Sequence, residues 1–183
     1  MSNELPLFEG FPSIPRLKRS CTITEKIDGT NAQVFVGEDG VVLAGSRNRW
    51  ITPEDDNFGF AKWVKDNEEE LRTGLGIGRH YGEWYGAGIQ RRYGLKEKRF
   101  ALFNSLRWTD ENRPKCCGVV PILYNGLFTS TIVEEQLENL RVNGSVAAPG
   151  FMNPEGVVVY LPATRGFFKV TLGGDGHKGQ VTK

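Results

Sequence analysis

The sequence predicts an α+β fold, with mainly antiparallel sheets and flanking helices. Three observations carry that prediction. Segments with strand character, rich in β-branched and aromatic residues, recur from the start of the chain to its end. Two segments with helical spacing lie between them. The stretch NAQVFVGEDGVVLAGS reads as a hairpin, with Val34 and Val36 alternating before a Glu-Asp-Gly turn and residues 41–43 resuming after it. Strands drawn from distant segments around two helices assemble as antiparallel sheets.

Taken in order, residues 1–19 form an extended arm, because Pro6, Pro12 and Pro15 oppose a helix. A strand follows over residues 21–26, then the hairpin. In DNFGFAKWVKDNEEELRTGLG, Phe60, Trp63, Val64 and Leu71 fall near helical spacing and Gly74 sits where a helix stops, which predicts one amphipathic helix. Two strands follow, HYGEWYG around Glu83 and RFALFNSLRW around Phe103, separated by the basic segment QRRYGLKEKR. TIVEEQLENLRVNG predicts a second helix, from a Thr131 to Glu134 capping box to the Asn143-Gly144 stop, with Ile132, Val133, Leu137 and Leu140 on its apolar side. A strand after Glu155, another around Lys169 and a loose tail over 173–183 complete the chain.

The 183 residues suffice for one sizeable core, so a single domain over 1–183 is expected. Composition is globular, with 39% hydrophobic and 25% charged residues. Lys plus Arg number 23 against 22 Asp plus Glu, so any nucleic-acid surface must be local. Three cysteines, two of them adjacent and none in C-x-x-C spacing, suggest reduced thiols in a cytosol-like compartment. No signal peptide or apolar membrane span is visible, which predicts a cytoplasmic protein with no membrane partner.

Taken singly, the polar residues are ambiguous. On the local pattern alone Lys26 reads more often as a strand-edge lysine, and Asp28-Gly29 more often as turn chemistry. What alters the weighing is a series of charged residues set beside strong strand signals. EKIDGTN resembles motif I of the covalent nucleotidyltransferases, the ATP-dependent RNA and DNA ligases and the mRNA capping enzymes. GSRNRW is similar to motif Ia, YGEWYG to motif III, FALFN to motif IIIa, PEGVVVY to motif IV and FFKV to motif V. The order is the family's, from about residue 21 to residue 170. Glu25, Thr30-Asn31 and AAPGFMNPEGVVVY look closest to the phage-type RNA ligases, which adds the host cytoplasm as a location if the protein is phage-encoded.

The resemblance implies a nucleotidyltransferase domain with its nucleotide pocket between sheets, ATP as the adenylyl donor and Mg²⁺ or Mn²⁺ as metal. Lys26 would be the nucleophile that takes AMP. A free lysine titrates at roughly 10.4, so such an amine needs surroundings that expose the unprotonated form. Asp28, Glu83 and Glu155 would place the hydrated ion, with Glu83 also near the ribose. Arg47 and Asn31 would hold phosphate oxygens, for which the planar guanidinium is suited. Phe103 would stack on adenine, and a side chain of residues 157–159, Val157 foremost, would close the other side. Glu25 and Ile27 flank the nucleophile as further nucleotide contacts, and Lys169 would meet the α-phosphate.

Two departures stand out. Motif V usually reads Lys-x-Lys, whereas Lys169 is flanked at two positions by Phe167 and Thr171, leaving Lys178 or Lys183 as substitutes for the second charge. No OB-fold or other carboxyl-terminal domain is expected after motif V, and a partner protein or a second copy would then stand in its place. The basic stretch 91–99 reads either as a solvated loop or as a track for phosphate backbone using Arg91, Arg92 and Lys96. The expected function is an ATP-dependent RNA ligase that joins a 5′-phosphate end to a 3′-hydroxyl. The rivals are a DNA ligase, a capping guanylyltransferase and a catalytically impaired nucleic-acid-binding module.

Overall fold

The computed structural model describes residues 7, 9–14 and 19–173. The described arm residues 7 and 9–14 have no regular structure. The tail over 174–183, including Lys178 and Lys183, lies outside the described residues.

The elements run β1 (Ser20–Lys26), β2 (Thr30–Val36), β3 (Val42–Ser46), β4 (Trp50–Ile51), α1 (Phe60–Asp66), α2 (Glu68–Leu75), β5 (Gly78–Gly86), β6 (Lys98–Leu102), β7 (Cys117–Val119), β8 (Ile122–Leu127), α3 (Ser130–Asn143), β9 (Gly156–Leu161) and β10 (Gly166–Thr171). They form a four-stranded sheet, β10-β9-β1-β8, and a six-stranded sheet, β4-β3-β2-β5-β6-β7. Every pairing is antiparallel except β6 with β7. The fold is α+β, as the pattern of the sequence predicts.

Each sheet packs helices on one face. Val34 and Val36 of β2 meet Phe60 and Val64 of α1 and Leu71 of α2 in the larger core, where the rings of Phe60, Trp63, Trp84 and Phe100 pack with centroids 5.1–5.6 Å apart. Ile23, Val157 and Val159 pack with Val133 and Leu140 of α3 in the smaller one. A third cluster, with Ile27, Tyr85, Tyr93, Val120 and Ala148, lies beside the turn after β1. Burying such side chains stabilises by about 1.5–3 kcal/mol each, which gives both sheets a defined inner face. No helix among the described residues is long and apolar enough to cross a membrane.

Several boundaries differ from expectation. The first predicted helix is two, broken at Asn67, whose side-chain amide donates to the Trp63 carbonyl at 2.8 Å. Val64 and Leu71 lie seven residues apart, close to two helical turns, so the apolar spacing passes through the break unmarked. Gly74 does not end the helix. A Cβ there would sit 2.9 Å from Pro114 Cγ, so the glycine admits that ring, and the helix stops at Gly76 with φ 74°. The cap of α3 is Thr129, whose hydroxyl accepts from the Ile132 N–H at 3.1 Å, and Thr131 lies inside the helix.

Candidate active site

The pleat of β1 sorts its side chains. Thr22, Thr24 and Lys26 face a cavity of about 850 Å³ between the two sheets, while Cys21 and Ile23 face α3. Lys26 is the last residue of the strand. Its ammonium donates to Glu155 Oε2 at 2.5 Å, from the residue just before β9, and both side chains are partly shielded, 24% and 17% exposed. The ladder pairs Lys26 with Gly156, which brings the two side chains together.

Opposite Lys26, β5 carries Glu83. Its Oε1 accepts from the Gly29 N–H and its Oε2 from the Asn31 amide, each at 3.0 Å. Burial pushes the carboxyl up to about 7, opposed by the Gly29 N–H, the Lys26 charge and Asn31, while the Glu155 charge adds to the rise. Gly29 is required for the approach, since a Cβ would lie 2.4 Å from the Trp84 carbonyl oxygen. The IDGTN turn thus folds onto the motif III strand through its backbone.

Around this centre the register distributes the rest. Arg47, just past β3, is exposed and lines the cavity. Phe103 lines it from the end of β6, 39% exposed, with its N–H held by the Tyr81 carbonyl at 2.9 Å. Lys169 pairs across β10 and β9 with Val158 and shares its face. Tyr160 and Phe167, with ring centroids 4.7 Å apart, line the cavity, whereas Lys169 is exposed and lies outside its lining. Of the aliphatic residues on β9, Val158 faces the cavity. Val157 is fully buried in the core under α3, because alternate residues of a strand point to opposite faces, so it is Val158 and not Val157 that shares the cavity with Phe103.

Other predicted residues are placed differently. Glu25 borders the cavity, yet its carboxylate turns to the far side of β1, where Oε1 accepts from the Ser145 hydroxyl at 2.6 Å and Oε2 from the Val146 and Ala147 N–H groups at 2.8 and 2.9 Å. Burial raises its carboxyl, opposed by those three donors. Its carboxylate clamps the loop after α3. The phase of β1 was a usable signal, since Glu25 shares parity with Cys21 and Ile23. Ile27 borders the cavity from the third core cluster.

Asp28 accepts from Arg91 Nε at 2.9 Å, so Asp28, Glu83 and Glu155 share no hydrogen-bond partner. Among the described residues no group of three or more His, Cys, Asp or Glu side chains is arranged to hold a metal ion. Glu83 and Glu155 remain close enough to feel each other's charge. Within the basic stretch, Arg91 is taken up by Asp28, Lys98 donates to the Phe58 carbonyl and Arg99 pairs with Glu97, while Arg92 and Lys96 stand exposed.

The sequence profile of the RNA ligase family matches residues 19–171, the interval that holds both sheets and the cavity. The chain belongs to the RNA ligase family. A search of curated protein sequences returns no match. Among solved structures, an apo point mutant of Naegleria gruberi RNA ligase superposes with a TM-score of 0.59 at 21% identity, covering 84% of this chain and 49% of that one. A second mutant of that ligase, with ATP and Mn, gives 0.60 at 20% identity with the same coverage. A third, with AMP and Mn, gives 0.59 at 20% identity, again over 84% and 49%. These likenesses support the fold. The chain spans about half the length of these RNA ligases.

Proposed function

We propose that this RNA ligase family member forms a lysyl-AMP at Lys26 from ATP, passes the adenylyl group to a 5′-phosphate end and seals that end to a 3′-hydroxyl, with RNA as the strand. The observation that carries the proposal is the Lys26 amine held 2.5 Å from Glu155 at the edge of a cavity whose opposite wall bears Glu83. In the first step the Nζ–P bond forms and the bond from the α-phosphorus to pyrophosphate breaks, while the amine gives up a proton. A strand end fixes the amine more tightly than a loop, which suits an in-line displacement that depends on positioning.

The adenine would lie between Phe103 and Val158, which face the cavity from the two sheets. The ribose and phosphates would then reach Asn31, Arg47 and Lys169. Two neighbouring carboxylates with room for water and phosphate oxygens suit a hydrated Mg²⁺ or Mn²⁺, and Glu83 and Glu155 are the residues that would hold it. Bound there, such an ion would spread the charge of the phosphates. The Naegleria ligase structures with ATP and Mn favour this nucleotide and metal. Residues 19–171 would make up the adenylyltransferase unit, and Arg92 and Lys96 would meet the nucleic-acid backbone.

Intact-protein mass spectrometry after incubation with ATP and Mg²⁺ tests the proposal, with GTP in parallel and Lys26→Ala as control. An acid-labile AMP adduct lost in the variant is the expected result. A GTP adduct would point to capping chemistry. No adduct with either nucleotide would overturn the reading in favour of a nucleic-acid-binding module.

A further inference from the structure

We propose that Arg91 is a positioning residue that locks the Lys26–Glu155 pair by strapping the turn after the nucleophile to the loop before its partner. The inference rests on the reading of Lys26 as the nucleophile.

The β1–β9 ladder ends at Lys26 and Gly156. Among the described residues the ladder pairs nothing further between these two segments, although Asp28 follows Lys26 by two residues and Pro154 immediately precedes Glu155. Arg91 fills that gap. Its Nε donates to Asp28 Oδ2 at 2.9 Å, and its Nη1 donates to the Asn153 carbonyl and Asn153 Oδ1, each at 3.1 Å, and to the Pro154 carbonyl at 3.2 Å. One guanidinium therefore joins both flanks of the reacting pair. A planar fork with several fixed donors does this, whereas an ammonium is a single point of charge.

The segment that carries Arg91 is built to hold it. Gln90, Arg92 and Tyr93 all have left-handed φ, at 42°, 60° and 52°, a conformation that residues other than glycine keep only where their surroundings enforce it. Ile89 and Tyr93 anchor the segment with 0% and 2% exposure. Tyr93 spans the same gap: its hydroxyl accepts from the Asp28 N–H at 2.8 Å, and its ring packs 4.7 Å from Phe151 in the loop leading to Asn153. Two neighbouring side chains on a strained loop thus tie the same two segments together. Residues held this way beside a reacting group are the kind that fix its approach.

The test uses the full chain with Arg91→Ala, Arg91→Lys and, as control, Arg141→Ala on α3, far in sequence from the strap. Two quantities are measured: the rate at which an amine-reactive reagent labels Lys26 relative to the other lysines, and the single-turnover rate of AMP attachment across ATP concentrations. In Arg91→Ala, release of the pair should raise relative labelling of Lys26 by about threefold or more. AMP attachment at saturating ATP should fall by about tenfold to a hundredfold with little change in half-saturating ATP. Arg91→Lys should restore only part of both, and the control should match the parent. Unchanged labelling and attachment in Arg91→Ala would overturn the strap, as would full recovery in Arg91→Lys. A rise in half-saturating ATP alone would also overturn it and place Arg91 among the nucleotide contacts. If the parent chain forms no AMP adduct, the ligase reading fails, and the labelling ratio alone still decides the strap. Should Arg91→Ala fail to fold, Arg91→Lys decides by the same two readouts, with parent-like values overturning the proposal.

Discussion

Lys26 Nζ lies 2.5 Å from Glu155 Oε2 across 129 positions of sequence, at the end of the β1–β9 ladder. A charge-assisted contact this short fixes the amine's direction as well as its neighbour. Glu155→Gln preserves shape and removes the charge. The expected outcome is a loss of about 1 kcal/mol of stability, because the pair is only partly shielded, against a fall of roughly a hundredfold in AMP attachment. Denaturant unfolding and single-turnover labelling separate the two, and parent-like attachment would remove Glu155 from the machinery.

Glu83 sets a pH dependence of stability. Its carboxyl is raised by burial from 4.5 to about 7 in the folded chain, so between those values the folded state binds more protons than the unfolded one. Stability from this group is therefore fully present below about 4.5 and is lost as pH rises through 7, by up to about 3 kcal/mol. Glu25 is raised by burial as well and contributes in the same direction. Urea unfolding from pH 4.5 to 8 should give a falling slope that flattens in Glu83→Gln. Equal slopes in the parent and the variant would show that Glu83 is not the titrating group.

Glu25 provides the contrast with its neighbour. Three donors converge on its buried carboxylate, so Ser145→Ala leaves an oxygen short of a partner and should cost about 1–3 kcal/mol. Half-saturating ATP should remain within about twofold of the parent, since 1.4 kcal/mol corresponds to tenfold in affinity and no nucleotide contact is removed. A normal melting temperature with weakened ATP use would return Glu25 to the nucleotide site.

How much was legible follows from what each signal encodes. The grouping of Lys26, Glu83 and Glu155 was legible through their motifs, and the structure brings these three together. Strand β8 was not, since its Asn125-Gly126 reads as a turn, and only pairing with β1 makes it a strand. Three-residue β7 and two-residue β4 are too short for any alternation to show. From its basic neighbours Arg91 reads either as part of a solvated loop or as a phosphate contact. Charge clustering along a sequence cannot tell that one member folds inward onto Asp28.

The pleat of β9 separates binding from stability over two adjacent residues. Val157 is 0% exposed against α3, and Val158 faces the cavity beside Lys169. Val157→Ala should cost about 1–3 kcal/mol in unfolding, by the methyl groups lost from a packed core, and leave half-saturating ATP close to the parent value. Val158→Ala should do the reverse. If Val158 packs on the adenine as proposed, half-saturating ATP should rise by a few-fold to about tenfold at nearly unchanged stability. The pair of variants carries its own control, because a one-residue slip in register exchanges the two faces. Denaturant midpoints and AMP attachment over a range of ATP concentrations read both effects on the same two proteins. A larger ATP effect in Val157→Ala than in Val158→Ala would reverse the assignment of the faces and remove Val158 from the adenine site.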